Sequence, residues 1–207
     1  MEKQPSILLN CEQLSVGYVS TSEEKPVVEN VNLQLKSGVF TTMVGINGSG
    51  KSTLLRSLAG LQKPLAGEIY IDASPLSALR TEEKSKWLSV VLTGQQISKN
   101  LSVLELVALG RQPYTNWLGK LSQEDKNHIE QAIEATALEQ LRHTACYALS
   151  DGQFQRALIA RALAQDTPII MLDEPTTHLD LHHKASIFSL LKNIAHEHNK
   201  TILCTTH

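Results

Sequence analysis

Cysteine occurs only three times in 207 residues, as Cys11, Cys146 and Cys204. The count is odd, the spacings are wide and no C-x-x-C pair occurs, which excludes a disulfide framework and a thiol-ligated metal site. Long apolar runs are missing as well. No uninterrupted stretch exceeds five residues, and the strand-like run Ile169 to Leu172 spans four, whereas a membrane-spanning helix needs about 18 or more. The opening Met1-Glu2-Lys3-Gln4-Pro5 has no apolar signal segment. A reduced, cytosolic chain that does not itself cross a membrane is therefore expected. Nor is there a surplus of either charge. With 19 Lys and Arg against 21 Asp and Glu, the formal net charge is −2, which argues against nucleic-acid binding by bulk electrostatics. Internal repeats and low-complexity tracts are also absent.

What is present is an ordinary globular composition, 42% apolar and 19% charged, at a length that suits one generous domain or one domain carrying an insertion. Period-2 stretches predict strands over Ile7 to Val16 and Val27 to Leu35, followed by a β-rich run over Val39 to Val44. A glycine-rich segment leads into a helical stretch over Ser52 to Leu61, and Gly67 to Asp72 and Leu88 to Leu92 are further strands. Thr81 to Lys86 has the composition of a short helix. From about residue 96 to 165 helical spacing takes over, in Val103 to Leu109, Ile129 to Leu141 and Gly152 to Ala164. Ser122 and the acids Glu124 and Asp125 open the longer helix. Ile169 to Leu172 is a bare apolar strand of the kind buried in a parallel sheet, followed by a helix over Leu181 to His196 and a strand over Thr201 to Thr205. The whole predicts an α/β fold with an inserted helical subdomain at about 96–165. The chain stops at His207, directly after a strand-like run, where a domain normally continues, so a truncated C-terminal end is expected.

Gly45-Ile46-Asn47-Gly48-Ser49-Gly50-Lys51-Ser52-Thr53 satisfies G-x-x-x-x-G-K-[ST] between a strand and a helix. Glycines let the backbone curl so that its N–H groups face phosphate oxygens, and the helix adds its positive end. Lys51 is expected to reach the β- and γ-phosphates and the Ser52 hydroxyl to ligate Mg²⁺. Downstream, Ile169 to Leu172 ends in Asp173 and Glu174, at what would be the ligand edge of a parallel sheet. Asp173 is expected to hold Mg²⁺ through water and Glu174 to polarise the attacking water. Together these residues predict hydrolysis of a nucleoside triphosphate.

Leu149-Ser150-Asp151-Gly152-Gln153 is by itself a helix-capping box, with a hydroxyl at the N-cap and a glutamine three residues on. It also resembles the Leu-Ser-Gly-Gly-Gln signature of the ATP-binding subunits of ABC transporters, about 20 residues before the acidic strand. That resemblance implies a P-loop ATPase of the ABC type, with a mixed-sheet core, an antiparallel N-terminal β part and the helical insertion. It implies that Ser150, Gly152 and Gln153 meet ATP bound to a second, antiparallel subunit, with Asp151 replacing the usual first glycine. Tyr18 looks like the aromatic that stacks on adenine. Pro175 to Asp180 looks like the loop along the dimer seam, with Asp180 coupling the two sites and His178 where a small residue is more usual. His207 resembles the switch histidine that touches the γ-phosphate. Gln95, with Gln96 as the alternate, resembles the glutamine that joins nucleotide and Mg²⁺ to the membrane partner.

Leu106 to Tyr114, Asp151 and Ala164 to Thr167 resemble the importer ATPases for iron–siderophore complexes, haem and cobalamin. The resemblance implies a bacterial homodimer closing around two ATP·Mg²⁺, peripheral on the inner face of the cell membrane. Its partners would be integral permease subunits and, indirectly, a substrate-binding protein, with no nucleic acid. An iron complex is the expected cargo, with cobalamin as the alternative. Three further readings stay open. A non-transport ABC ATPase is disfavoured by the single phosphate loop and the lack of sustained heptads. A non-catalytic nucleotide-binding module is disfavoured by intact Lys51, Asp173 and Glu174. A small kinase leaves the signature run unexplained.

Overall fold

In β1 (Ile7–Val19) the buried side chains are Leu9 and Cys11, then Leu14 and Val16. A strict period of two would put Leu14 on the other face. The phase is restored by an irregularity between Cys11 and Leu14, where Gln13 adopts φ +47° and the pairing with the neighbouring strand slips. Gly67 lies against this bulge with φ +81°, and a Cβ there would come within 2.5 Å of the carbonyls of Glu12 and Gln13, so only glycine fits. This computed structural model describes residues 6–20, 23–94, 98–177 and 179–207.

Two sheets form. The first is antiparallel and combines β1 with β2 (Glu24–Lys36), β4 (Ala66–Ile71) and β5 (Ser74–Pro75) in the order β2-β1-β4-β5. The second is parallel and combines β3 (Phe40–Val44), β6 (Leu88–Val91), β7 (Ile169–Leu172) and β8 (Thr201–Thr206) in the order β3-β8-β7-β6. Helix α1 (Lys51–Leu58) follows β3, and α2 (Thr81–Trp87) precedes β6. Helices α3 (Val103–Ala108), α4 (Gln123–Ala135) and α5 (Asp151–Ala164) pack on one another, and α6 (Leu181–Glu197) connects β7 to β8.

The central strand β7 is buried on both faces, and its period of two divides the core in half. Ile169 and Met171 join Leu9, Leu14, Leu55 and Leu58 under the antiparallel sheet and α1. Ile170 and Leu172 join Leu106, Ile133, Ile159 and Leu191 from the helices. Each such aliphatic side chain contributes about 1.5–3 kcal/mol relative to exposure.

Two features of the helical part differ from expectation. The helix predicted over Ile129 to Leu141 begins at the Ser122 cap and ends at Ala135. Ala137 turns left-handed at φ +53°, its amide returns to Glu134 O and that of Leu138 to Ile133 O. This is a Schellman reversal without glycine, and it buries Leu138. The second feature is the segment after α3, which continues as a 3₁₀ turn over Leu109–Tyr114. There Arg111, only 4% exposed, donates through Nε to Asp125 Oδ1 at 2.8 Å and through Nη1 to Ala164 O at 2.8 Å. The Tyr114 ring lies 4.0 Å from its guanidinium carbon. One buried cation thus ties the 3₁₀ turn, the start of α4 and the end of α5. Among the described residues no helix is long and apolar enough to cross a membrane.

Candidate active site

The parallel sheet delivers the carboxyl ends of β3, β8, β7 and β6 to one edge, and the candidate residues collect there. The glycine-rich loop leaves β3 and enters α1 through Gly50, at φ +89°, where a Cβ would lie 2.4 Å from Val28 Cγ2. Lys51 opens α1 but is only 6% exposed. Its ammonium bends back over the loop to the carbonyls of Gly45 and Ile46, at 2.7 and 3.0 Å. Above them the first-turn N–H groups of α1 have no acceptor within the helix. A ring of unused amides closed by a held ammonium is an anion cradle, and it fits the phosphates of a nucleotide.

Asp173 stands at the end of β7, 1% exposed, and its carboxylate is filled by hydroxyls. Ser52 Oγ donates to Oδ1 at 2.8 Å, Thr205 Oγ1 to Oδ1 at 2.9 Å and Thr93 Oγ1 to Oδ2 at 3.3 Å. An oxygen-only set of one carboxylate and one hydroxyl beside a phosphate cradle suits a hard divalent cation, which takes its other ligands from phosphate and water. Among the described residues no group of three or more His, Cys, Asp or Glu side chains could hold a metal independently of substrate. The neighbouring Cys204 is inert. Burial first, then the Asp173 charge, pushes its thiol up to about 12.

Glu174 follows in a left-handed conformation, φ +47°, which costs a non-glycine residue about 1–3 kcal/mol and persists only where neighbours impose it. Here its amide donates to Thr205 Oγ1 at 2.8 Å, and Thr177 Oγ1 donates to Oε2 at 3.2 Å. The carboxylate is thereby placed between two cationic candidates, with Lys51 Nζ 3.8 Å from Oε1 and His207 Nδ1 3.8 Å from Oε2. Both gaps exceed hydrogen-bond distance, leaving the carboxylate able to accept a further proton donor such as water.

The structure thus brings Lys51, Ser52, Asp173, Glu174 and His207 to one place. Tyr18 joins them from the end of β1, its hydroxyl 3.2 Å from Thr53 Oγ1 and its ring exposed at the mouth of the loop. Gly45, Asn47, Gly48 and Ser49 form the loop itself. Ser150, Gly152 and Gln153 lie elsewhere, on the first turn of α5. Gln153 N donates to Ser150 Oγ and Ser150 N to Gln153 Oε1, so the capping box is real. Asp180 caps α6, and the His183 amide, then its ring, hold the Asp180 carboxyl below the ordinary carboxylate range. Gln95, its alternate Gln96 and His178 lie outside the described residues. Sequence reasoning missed Thr205, Thr93 and Thr177. The one available signal was a hydroxyl, Thr205, next to the end of an apolar strand that leads to a candidate histidine.

The phosphate cradle, the acidic strand end and the separate signature turn make up the chemistry of one family, and its profile, described as ABC transporter, matches residues 28–177. The chain belongs to the ABC transporter ATPases. It is 42% identical to the "Probable siderophore transport system ATP-binding protein" of Bacillus subtilis, over 96% of this chain and 71% of that one. It is 39% identical to the petrobactin import ATP-binding protein of Bacillus anthracis, with the same coverage of both chains. Among solved structures, a dimeric bacterial ABC transporter cassette superposes with a TM-score of 0.81 at 32% identity, covering 97% of this chain and 88% of that one. As a member of this family the chain binds and hydrolyses ATP.

Proposed function

We propose that this ABC ATPase drives bacterial uptake of an iron complex, a siderophore or haem, through a membrane permease, working as a head-to-tail pair. The observation that carries the catalytic part is Glu174, held by Thr205 and Thr177 midway between Lys51 and His207 at the mouth of the phosphate loop. The cargo assignment rests on the relatives, whose names specify siderophore transport and petrobactin import.

In this mechanism Tyr18 stacks on adenine, and the amides of residues 45–53 surround the phosphates. Lys51 exchanges its two carbonyl partners for β- and γ-phosphate oxygens, stabilising charge on the transferring phosphoryl group. Ser52 and Asp173, joined by Gln95 on the family resemblance, would hold Mg²⁺, which when bound neutralises phosphate charge and orients the triphosphate. Glu174 accepts the proton of the attacking water while His207 orients that water against the γ-phosphate. The Ser150, Gly152 and Gln153 face of one chain closes on the nucleotide of the other, and Asp180 links the two sites. Closure acts on the permease through the helical subdomain, about residues 96–165, and the Gln95 loop. The chain thus sits peripherally on the inner face of the cell membrane, fed indirectly by a substrate-binding protein.

Phosphate release from purified protein with Mg²⁺ and ATP, measured over a range of protein concentrations, tests this reading. Specific activity should rise steeply with concentration and vanish in Glu174→Gln. Activity per chain that does not depend on concentration would refute the shared site. Parent-rate turnover by the variant would refute the role of Glu174.

A further inference from the structure

Gly152 occupies the second position of α5 with an ordinary right-handed backbone, where glycine costs about 0.5–1 kcal/mol relative to alanine. Backbone geometry therefore does not require it. The space its side chain would fill is taken by the ring of His183, from the first turn of α6. A Cβ on Gly152 would lie 2.8 Å from His183 Cδ2 and 3.5 Å from Cγ.

That ring is held in place from its own side. The His183 amide donates to Asp180 Oδ1 at 2.9 Å, and Nδ1 donates to both Asp180 oxygens at 2.9 and 2.8 Å. One carboxylate thus caps α6 and aims the imidazole at the signature turn. A second tie lies deeper, where Arg156 Nη2 donates to Ser186 Oγ at 2.7 Å and Nη1 to Thr136 O at 3.0 Å. Between the two ties the helix starts enclose a cleft of about 390 Å³, lined by Ser150, Gly152, Gln153, Arg156, His183 and Ser186. The outer tie, His183 on Gly152, is the one adjacent to the Ser150 cap.

We propose that His183 is a positioning residue that locks the first turn of α5 to the Asp180 loop. The Ser150–Gly152 face that meets the second chain's nucleotide then moves as one piece with Asp180. This rests on the two-chain reading above. The glycine is required by the imidazole packed on it, in addition to any approach of phosphate.

The test is a double-mutant cycle in the full chain, read by phosphate release against ATP concentration and by ATP binding. His183→Ala should lower kcat about tenfold while ATP affinity stays within about twofold, because the phosphate loop is untouched. His183→Asn keeps a donor at the position of Nδ1 and should recover most of kcat. Gly152→Ala should cost about tenfold or more in the parent and a factor at least about threefold smaller in the His183→Ala background, where the ring is gone and only the approach to phosphate is left to oppose a Cβ. Equal losses in both backgrounds, or parent kcat in His183→Ala, would overturn the proposal. ATP-dependent dimerisation of Glu174→Gln, followed by gel filtration, separates the two levels. Without a dimer the two-chain reading itself fails. With a dimer and an additive cycle, only the role of His183 fails.

Discussion

The Thr205 hydroxyl donates to Asp173 Oδ1 and accepts the amide of Glu174, so one buried atom registers the two acidic residues against each other. Thr205→Val keeps the shape of the side chain but leaves the Glu174 amide unpaired, at about 1–3 kcal/mol, and loosens the left-handed backbone that aims its carboxylate. Steady-state assays should show kcat falling about tenfold with ATP affinity nearly unchanged. Lys51→Ala is the complementary change. Loss of the cradle's only buried cation among the described residues should abolish measurable nucleotide binding by calorimetry, whereas parent affinity would exclude Lys51 from the phosphate site. Lys51 and Ser52 were legible in the sequence through their fixed spacing, Asp173 and Glu174 through their place at the end of an apolar strand, and His207 through the family resemblance alone. The three threonines were not, since a hydroxyl near a strand end has no spacing of its own, and its role depends on which strand lies beside it.

At the scale of elements, the helical insertion is fastened by Arg111 and Asp125. Burial alone would raise the Asp125 carboxyl. The Ser122 hydroxyl and amide and the Arg111 guanidinium outweigh it and hold the group at about 2. A carboxylate lowered in the folded state stabilises fully above its ordinary value of about 3.9, and that stabilisation is lost as pH falls through about 2. Asp125→Asn strands the Arg111 charge in the interior and should destabilise the protein by about 3–5 kcal/mol near neutrality. Denaturant unfolding of both forms should show the gap narrowing as pH drops from about 4 toward 2. A gap that does not change with pH would place the origin elsewhere. Composition announced helices here, and the Ser122 and Ser150 caps fixed two starts. The end of α4 was not announced, because Ala137 rather than glycine takes the left-handed position.

For the whole molecule, the signature turn packs on His183 at the start of α6, whereas the phosphate loop is closed by Lys51 and tied through Ser52 to Asp173 at the end of β7, which suits a site completed by a second chain. Glu174→Gln with ATP and Mg²⁺ should therefore sediment at twice the mass of the nucleotide-free protein, and a monomer at saturating ATP would argue against it. By itself the sequence determined the chemistry, because phosphate loops, strand-end acids and caps depend on neighbours within a few residues. It also determined the α/β class through hydrophobic period, and the family through motif order. Only the tertiary structure decided which strands form the active edge, that Thr205 registers both acids, that Arg111 is buried and that His183 fills the space over Gly152. These are contacts between residues far apart in the chain, set by the packing of sheet and helices, and no local pattern encodes them.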